Sequence, residues 1–275
     1  MENIYDLDGN ISGKICGIFL KAYPKKKDEI IEATVEALDS LKEEYTNKVI
    51  FEDLLLFNRE DLRLIEERTN LKVIDGKKTL IAFLPIALKE IYRQLGEDIK
   101  NKEVLIIGND EEETKEIIEL ICKDIRFITI TGPYNKAMVD NIYEYILERT
   151  GLSIFYSKNI DKILINYSII INLIDNYSID LKRIRKGAIL FDLSPSKGLK
   201  KNNGKEGRAI IEDFIFKREN LKIKENEYLP KIIFSFIYEG LMEFNRGDLE
   251  GFYIDNNFYS IDEFVGKIIK NKGKL

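Results

Sequence analysis

The chain has 275 residues, 44% of them apolar and 33% charged, with 43 Lys and Arg against 48 Asp and Glu for a net charge of −5; this length can bury a large core without disulfides or metals, and the interspersed charge excludes the basic stripe of a dedicated nucleic-acid binder. It has no histidine, which removes Ser-His-Asp and Cys-His catalysis, His-ligated zinc and imidazole proton shuttling together. Cys16 and Cys122 lie far apart with no CxxC spacing, so no metal site is expected and the compartment expected is a reducing cytoplasm.

Met1 to Asn10 is acidic and polar, and no apolar run approaches the roughly 18 residues of a membrane span. A soluble, unexported protein with no membrane partner is expected. In the first hundred residues, short β-branched runs predict strands at Lys14–Leu20, Lys48–Phe51 and Leu71–Ile74. Amphipathic spacing predicts helices over Lys26–Glu44, Arg59–Arg68 and Lys77–Leu95, the last leading into a different texture.

From Lys102 onward, strands alternate with helices. The strands predicted are Glu103–Gly108, Arg126–Thr131, Leu152–Tyr156, Ser168–Ile174 and Ala188–Leu193, with a short sixth at Arg208–Ile211 after the polar loop Ser194–Gly207. Helices fall at Glu111–Lys123, Asn135–Arg149, Asn159–Ile165 and Ser178–Arg185, the first placing Ile117, Ile118 and Ile121 on one face. Strands that are nearly continuous in apolar residues are covered on both faces. The fold class expected is α/β: a doubly wound parallel, Rossmann-like sheet with a second, smaller α/β domain. Helices at Tyr228–Phe244 and Ile261–Asn271 follow. Residues 1–95, completed by C-terminal helices within 225–275, make the smaller domain in this reading, and residues 96–224 the Rossmann-like one. The cleft between them is the default place for a small-molecule ligand or a protein partner.

In such a sheet the turn after the first strand holds a dinucleotide's pyrophosphate, because glycines admit the backbone and the helix N-terminus offers free N–H groups. Here that turn reads Gly108-Asn109-Asp110-Glu111-Glu112-Glu113, so Gly108 alone survives of G-x-G-x-x-G. Carboxylates in a first helical turn, behind an Asp110 cap, suit an unliganded helix and fill electrostatically the place of a diphosphate. Should a cofactor bind nonetheless, Gly108 and Asn109 would meet it. Thr131 and Lys136, with no acidic residue for a ribose hydroxyl, would favour NADP(H), and Asp175-Asn176 would lie by the nicotinamide. The alternative for Lys136 is a solvated first-turn lysine, and for Asp175 and Asn176 a turn.

Further pieces run through most of Ser12–Lys267: Ile11-Ser12-Gly13-Lys14, Val49-Ile50-Phe51-Glu52-Asp53-Leu54, Asp75-Gly76-Lys77-Lys78-Thr79, Leu95-Gly96-Glu97-Asp98-Ile99, Leu190-Phe191-Asp192-Leu193-Ser194-Pro195 and Pro230 to Met242. With these the chain resembles a diverged relative of the fatty-aldehyde-forming acyl-ACP reductases, and of the shikimate- and glutamyl-tRNA-reductase-like dehydrogenases that share their NADP-binding domain. The resemblance places Ser235 where the reductases carry the Cys that takes the acyl group as a thioester. A serine needs an activating base, and this chain has no histidine to act as one. Its alternative is a hydrogen bond to a backbone carbonyl one helical turn back.

Loss of the phosphate glycines and of the thiol together leads to the expectation of a dehydrogenase-like pseudoenzyme with no cofactor, binding a ligand or a partner. The alternative is an NAD(P)H-dependent oxidoreductase reducing a small carbonyl or acyl compound without a covalent intermediate. Lys14, Lys77, Tyr45 or Asp175 would then supply the proton. Lys25-Lys26-Lys27 is either a contact for an acidic partner or a solvated face.

Overall fold

The chain opens with a hairpin of β1 (Glu2–Tyr5) and β2 (Ile11–Ile15), paired antiparallel. This computed structural model describes residues 1–18, 26–52, 56–175, 177–199 and 208–270. The strand expected at Lys14–Leu20 thus begins and ends earlier, because Asp6 closes a turn by accepting the Asn10 N–H (2.7 Å) and brings Ile11 into register with Tyr5. Residues 19 and 20 of the expected strand lie outside the described residues, as does Lys25 of the lysine run.

Helix α1 (Lys27–Leu41) buries Ile31 and Val35 against Ile65 of α2 (Arg59–Thr69). The start of α2 is fixed by a capping box in which the Asn58 side chain accepts the Asp61 N–H and Asp61 accepts that of Asn58. Its end is an αL Asn70. Between and after these helices, β3 (Lys48–Ile50) and β4 (Lys72–Ile74) form a parallel pair. The α3 helix (Lys77–Leu95) has the bounds its apolar spacing predicts.

Six parallel strands follow: β5 (Glu103–Ile107), β6 (Phe127–Thr131), β7 (Phe155–Tyr156), β8 (Ile169–Asn172), β9 (Ile189–Asp192) and β10 (Ile210–Ile211). Their spatial order is β10-β9-β8-β5-β6-β7, the doubly wound Rossmann arrangement in which the winding reverses between the first and fourth strands. Helices α4 (Glu111–Ile121) and α5 (Lys136–Thr150) link the first three strands and bury Ile117, Ile118 and Ile121, and Val139, Ile142 and Ile146. On one face of the sheet, Leu105, Ile107, Ile170 and Leu190 share a core with Tyr167, Leu164, Leu181 and Ile184. Period-2 alternation turns Val104 and Ile106 to the other face.

The helices expected at Asn159–Ile165 and Ser178–Arg185 contract to single 3₁₀ turns, Leu164–Asn166 and Leu181–Arg183. Polar side chains compete locally for the backbone: Asn159 accepts the Asp161 N–H and Asp180 the Lys182 N–H.

Past β10 come β11 (Asp213–Phe216), β12 (Ile233–Phe234) and α6 (Ser235–Leu241). The helix expected over Tyr228–Phe244 is therefore shortened to Ser235–Leu241, because Ile233–Phe234 pairs with β11 as a strand and Pro230 disfavours helix at Leu229. The hairpin of β13 (Leu249–Ile254) and β14 (Asn257–Ser260) packs Phe252 between Phe214 and Phe264. The chain continues as a short helix, α7 (Ile261–Glu263), running into a π-helical turn at Phe264–Lys270; Asn271, the expected end of that helix, lies outside the described residues.

By contacts the chain divides into Met1–Thr79 with Phe216–Asn245, and Leu80–Ile215 with Arg246–Leu275. The boundary thus falls inside α3, at residue 79, and the last thirty residues group with the parallel sheet. Among the described residues no helix is long and apolar enough to cross a membrane.

Candidate functional site

The carboxyl ends of β5 and β8 flank the point where the winding reverses, which is where a doubly wound sheet takes its ligand. At this place Gly108 leaves β5, its N–H donating to the Thr131 carbonyl (3.0 Å). Asp110 caps α4 by accepting the Glu113 N–H (3.0 Å), and its carbonyl accepts the Thr114 hydroxyl (2.6 Å). The Tyr134 hydroxyl lies 2.6 Å from Thr114 Oγ1. Because the Thr114 proton goes to Asp110, Tyr134 is the donor in that pair.

Tyr134 sits directly over the glycine. A Cβ built on Gly108 would collide with the Tyr134 hydroxyl and lie 3.0 Å from Thr114 Oγ1 and 3.4 Å from a Leu173 methyl. Gly132, at φ +137°, packs against the Gly108 carbonyl, and a Cβ there would also collide. Both glycines are thus required by contacts inside the protein. Tyr134 is 5% exposed, and burial pushes its hydroxyl well above the usual tyrosine range. Tyr156 meets the Tyr134 ring edge to face at 6.3 Å and donates to the Gly132 carbonyl (3.4 Å). Thr131 is fully buried, with its hydroxyl 3.0 Å from that of Tyr177.

A diphosphate held in the usual manner needs open glycine backbone and unfilled helix N–H groups. At this turn the backbone is covered by a phenol and one N–H is taken by Asp110. The residues present do not fit that group in the geometry they adopt.

No family model and no curated protein matches the chain. Among solved structures it is similar to shikimate 5-dehydrogenase from Listeria monocytogenes, crystallised with shikimate and NAD, at 14% identity and TM-score 0.32 over 44% of this chain and 45% of that one. It is similar also to a Δ1-pyrroline-2-carboxylate reductase from Thermococcus litoralis, in complex with NADH and L-proline, at 14% identity and TM-score 0.31 over 41% and 36%. Aspartate transcarbamoylase from Trypanosoma cruzi, in complex with N-(phosphonacetyl)-L-aspartate, gives 12% identity and TM-score 0.37 over 68% and 66%. The chain spans less than half the length of that shikimate dehydrogenase and of that reductase. NAD(P)-binding Rossmann reductases are thus among the similar structures, at values that carry no activity across; the fold itself rests on strand order and direction.

The other expected site residues are dispersed. Asn109 and Lys136 are exposed, Lys136 as the first residue of α5 behind the Asn135 cap. Asp175 accepts the Ser196 N–H (2.7 Å), and its carbonyl lies against Gly198, so it ties two loops together. Asn176 lies outside the described residues. Gly108 and Thr131 alone of the set meet, through backbone.

Sequence reasoning passed over a polar group at the ends of β8 and β9. Asn172 and Asp192, register partners and both fully buried, are joined by an Nδ2–Oδ1 hydrogen bond of 2.9 Å. The Ser194 hydroxyl donates to the same Asp192 oxygen (2.6 Å) and accepts the Gly198 N–H (2.8 Å). It also passed over Tyr134, two residues past a glycine, where proximity to β5 leaves no local signal. Among the described residues no carboxylates or thiols gather to hold a metal ion.

Ser235 belongs to the unit of the N-terminal residues. It is the first residue of α6, and its buried hydroxyl fills the space beside Gly76, which adopts φ +79°. Glu239, one turn on, accepts the Thr79 N–H (3.3 Å), and burial raises its carboxyl above the usual range. Of the other groups considered as proton donors, Lys14 is paired with Glu43 and Tyr45 is 88% exposed. Cys122 directly follows α4, half-buried, its thiol donating to the Glu119 carbonyl (3.3 Å) and pushed up by burial.

Proposed function

We propose that this chain is a dehydrogenase-type Rossmann protein whose nucleotide crevice is filled by its own side chains, and which binds a small ligand or a protein partner without hydride transfer. The observation that carries this reading is the Tyr134 hydroxyl seated over Gly108 and bonded to Thr114. Two further features support it. Asp110 and the run Glu111–Glu113 set negative charge at the start of α4, against a diphosphate. Ser235 stands where the resembled acyl-ACP reductases carry their acyl-accepting Cys, with its hydroxyl buried against Gly76.

Titration calorimetry with NADPH and NADH tests the reading. No binding of either is expected, and micromolar binding of one would refute it. The alternative, an NAD(P)H-dependent oxidoreductase, is favoured by strand order, which retains the winding reversal beside Gly108. Loss of nicotinamide absorbance with small aldehydes or keto acids would select that alternative.

A further inference from the structure

A parallel sheet ordinarily has both faces covered by its crossover helices. The crossover from β7 to β8 lacks such a helix: where the sequence predicts one over Asn159–Ile165, the chain makes a single 3₁₀ turn at Leu164–Asn166. Ile160 and Leu164 of this crossover join the core with Leu105, Ile107 and Ile170, which lie on the central strands β5 and β8. Farther out the same face is open to solvent. Leu105 is the register partner of Thr129 on β6, and Thr129 that of Phe155 on β7, so their side chains point to one side of the sheet; Phe127, two residues before Thr129, shares it. Phe127 and Phe155 thus stand on adjacent strands with backbones about 8 Å apart. Phe127 is 55% exposed, Phe155 60%, and Ile165, next to the buried Leu164, 61%.

At these exposures the three side chains leave roughly 300–400 Å² of apolar surface on one face, the size at which a patch marks an interaction site rather than scatter. Around it the charges are of both signs. Glu103 is the register partner of Phe127, Arg126 precedes it, and Asp161 and Lys162 lie in the crossover just before Ile165. Among the described residues none of these four forms an ion pair, whereas Glu97, Asp124 and Arg149 of the same unit do. A strongly acidic or strongly basic partner would meet like charge at half of these positions. A second copy of the same surface, turned about a twofold axis, sets apolar centre on apolar centre and can offer each unpaired charge an opposite one. Burying the patch on its copy removes roughly 700 Å² in all, close to half of the 1,600 Å² or so that a standard interface covers, and the charged rim supplies area toward the rest. We propose that the face carrying Phe127, Phe155 and Ile165 is the isologous contact of a homodimer. The inference does not involve the Gly108 crevice, and either reading can fail while the other stands.

Sedimentation equilibrium of the full chain from about 1 to 100 μM tests it, the range in which a contact of this size should dissociate. A reversible monomer–dimer equilibrium is expected. Phe155→Glu and Ile165→Glu, which set a charge in the centre of the contact, should each raise the dimer dissociation constant about tenfold or more. Leu147→Glu, at an equally exposed leucine of α5 (55%), should leave it unchanged. Far-UV circular dichroism checks that each variant is folded. Should one fail to fold, hydrogen exchange of the unmodified protein gives a second readout: amides of residues 126–129 and 164–167 should exchange more slowly at the high end of the concentration range than at the low end. A chain that stays monomeric throughout would give the face to some other partner and overturn the proposal. So would a dimer that survives both substitutions, a dimer that Leu147→Glu weakens as much, or exchange in those two segments that ignores concentration.

Discussion

Gly108 has ordinary backbone angles for any residue, so its lack of a side chain is a matter of space: a Cβ would meet the Tyr134 hydroxyl and Thr114. Gly108→Ala should therefore destabilise the protein by about 1–3 kcal/mol, the usual cost of overpacking. In a Tyr134→Phe background the obstructing oxygen is gone and the alanine should cost less, a coupling of about 0.5–3 kcal/mol in a double-mutant cycle read by urea unfolding. An unchanged alanine penalty would show that the phenol is not what excludes the side chain. The same hydroxyl sets an alkaline limit. Its folded pKa lies above that of an ordinary tyrosine, so the folded state holds the proton more tightly. The stability this gives is complete below pH 10 and is lost as pH rises past that value. Tyr134→Phe should flatten the fall in urea midpoint above pH 10; an identical fall in both proteins would assign it to other tyrosines. Gly108 and the Asp110 cap are legible in the sequence because both are properties of one short segment. Tyr134 is not, since its place over Gly108 arises only when β6 pairs with β5, residues twenty and more apart meeting through Gly108 N–H to Thr131.

Helix α4 begins at its cap, and here the energetics belong to the element. Asp110→Ala removes the acceptor for the Glu113 N–H and should cost about 1 kcal/mol, while Asp110→Asn, which retains an acceptor, should cost less. Thermal unfolding of the two variants checks this, and equal losses would mean that charge against the helix dipole outweighs the hydrogen bond. The β13–β14 hairpin gives a second case. Asp255 and Asn256 both adopt positive φ (48° and 61°) in its turn, the pair of angles a type I′ turn requires. Asn256→Gly should be neutral or slightly stabilising, and Asn256→Val should destabilise by about 1–2 kcal/mol, read by the same melts. Elements with long apolar periodicity, such as α3 and α4, and the β-branched strands β5, β6, β8 and β9, were open to reading because their pattern is local. The segments Asn159–Ile165 and Ser178–Arg185 share that periodicity but lose to side-chain capping by Asn159 and Asp180. Strands β1 and β14 carry exposed apolar residues, Tyr5 and Phe258, which mask the alternation that would betray them.

For the whole molecule the governing question is whether a dinucleotide adds to stability, and linkage makes that measurable without knowing any substrate. A ligand that binds only the folded state stabilises it by about 2.7 kcal/mol at a hundred times its Kd. For a unit the size of the one holding the parallel sheet this corresponds to a rise of roughly 5–10 °C in its unfolding temperature. Because the chain divides into two units, its melting need not be a single transition, and the shift must be sought in the transition that reports Leu80–Ile215. With the Tyr134 phenol bonded over Gly108 and carboxylates lining the start of α4, millimolar NADPH should leave that transition where it is. Tyr134→Ala removes the phenol but leaves the acidic run, so it should admit the nucleotide weakly if the ring is the main obstacle. Adding Glu112→Gln, which removes one exposed first-turn charge, should then strengthen the effect. A shift in the unaltered protein would seat a dinucleotide in the crevice and reverse the reading of its function. A shift confined to the Tyr134 variants would identify the side chain that closes an otherwise competent Rossmann site.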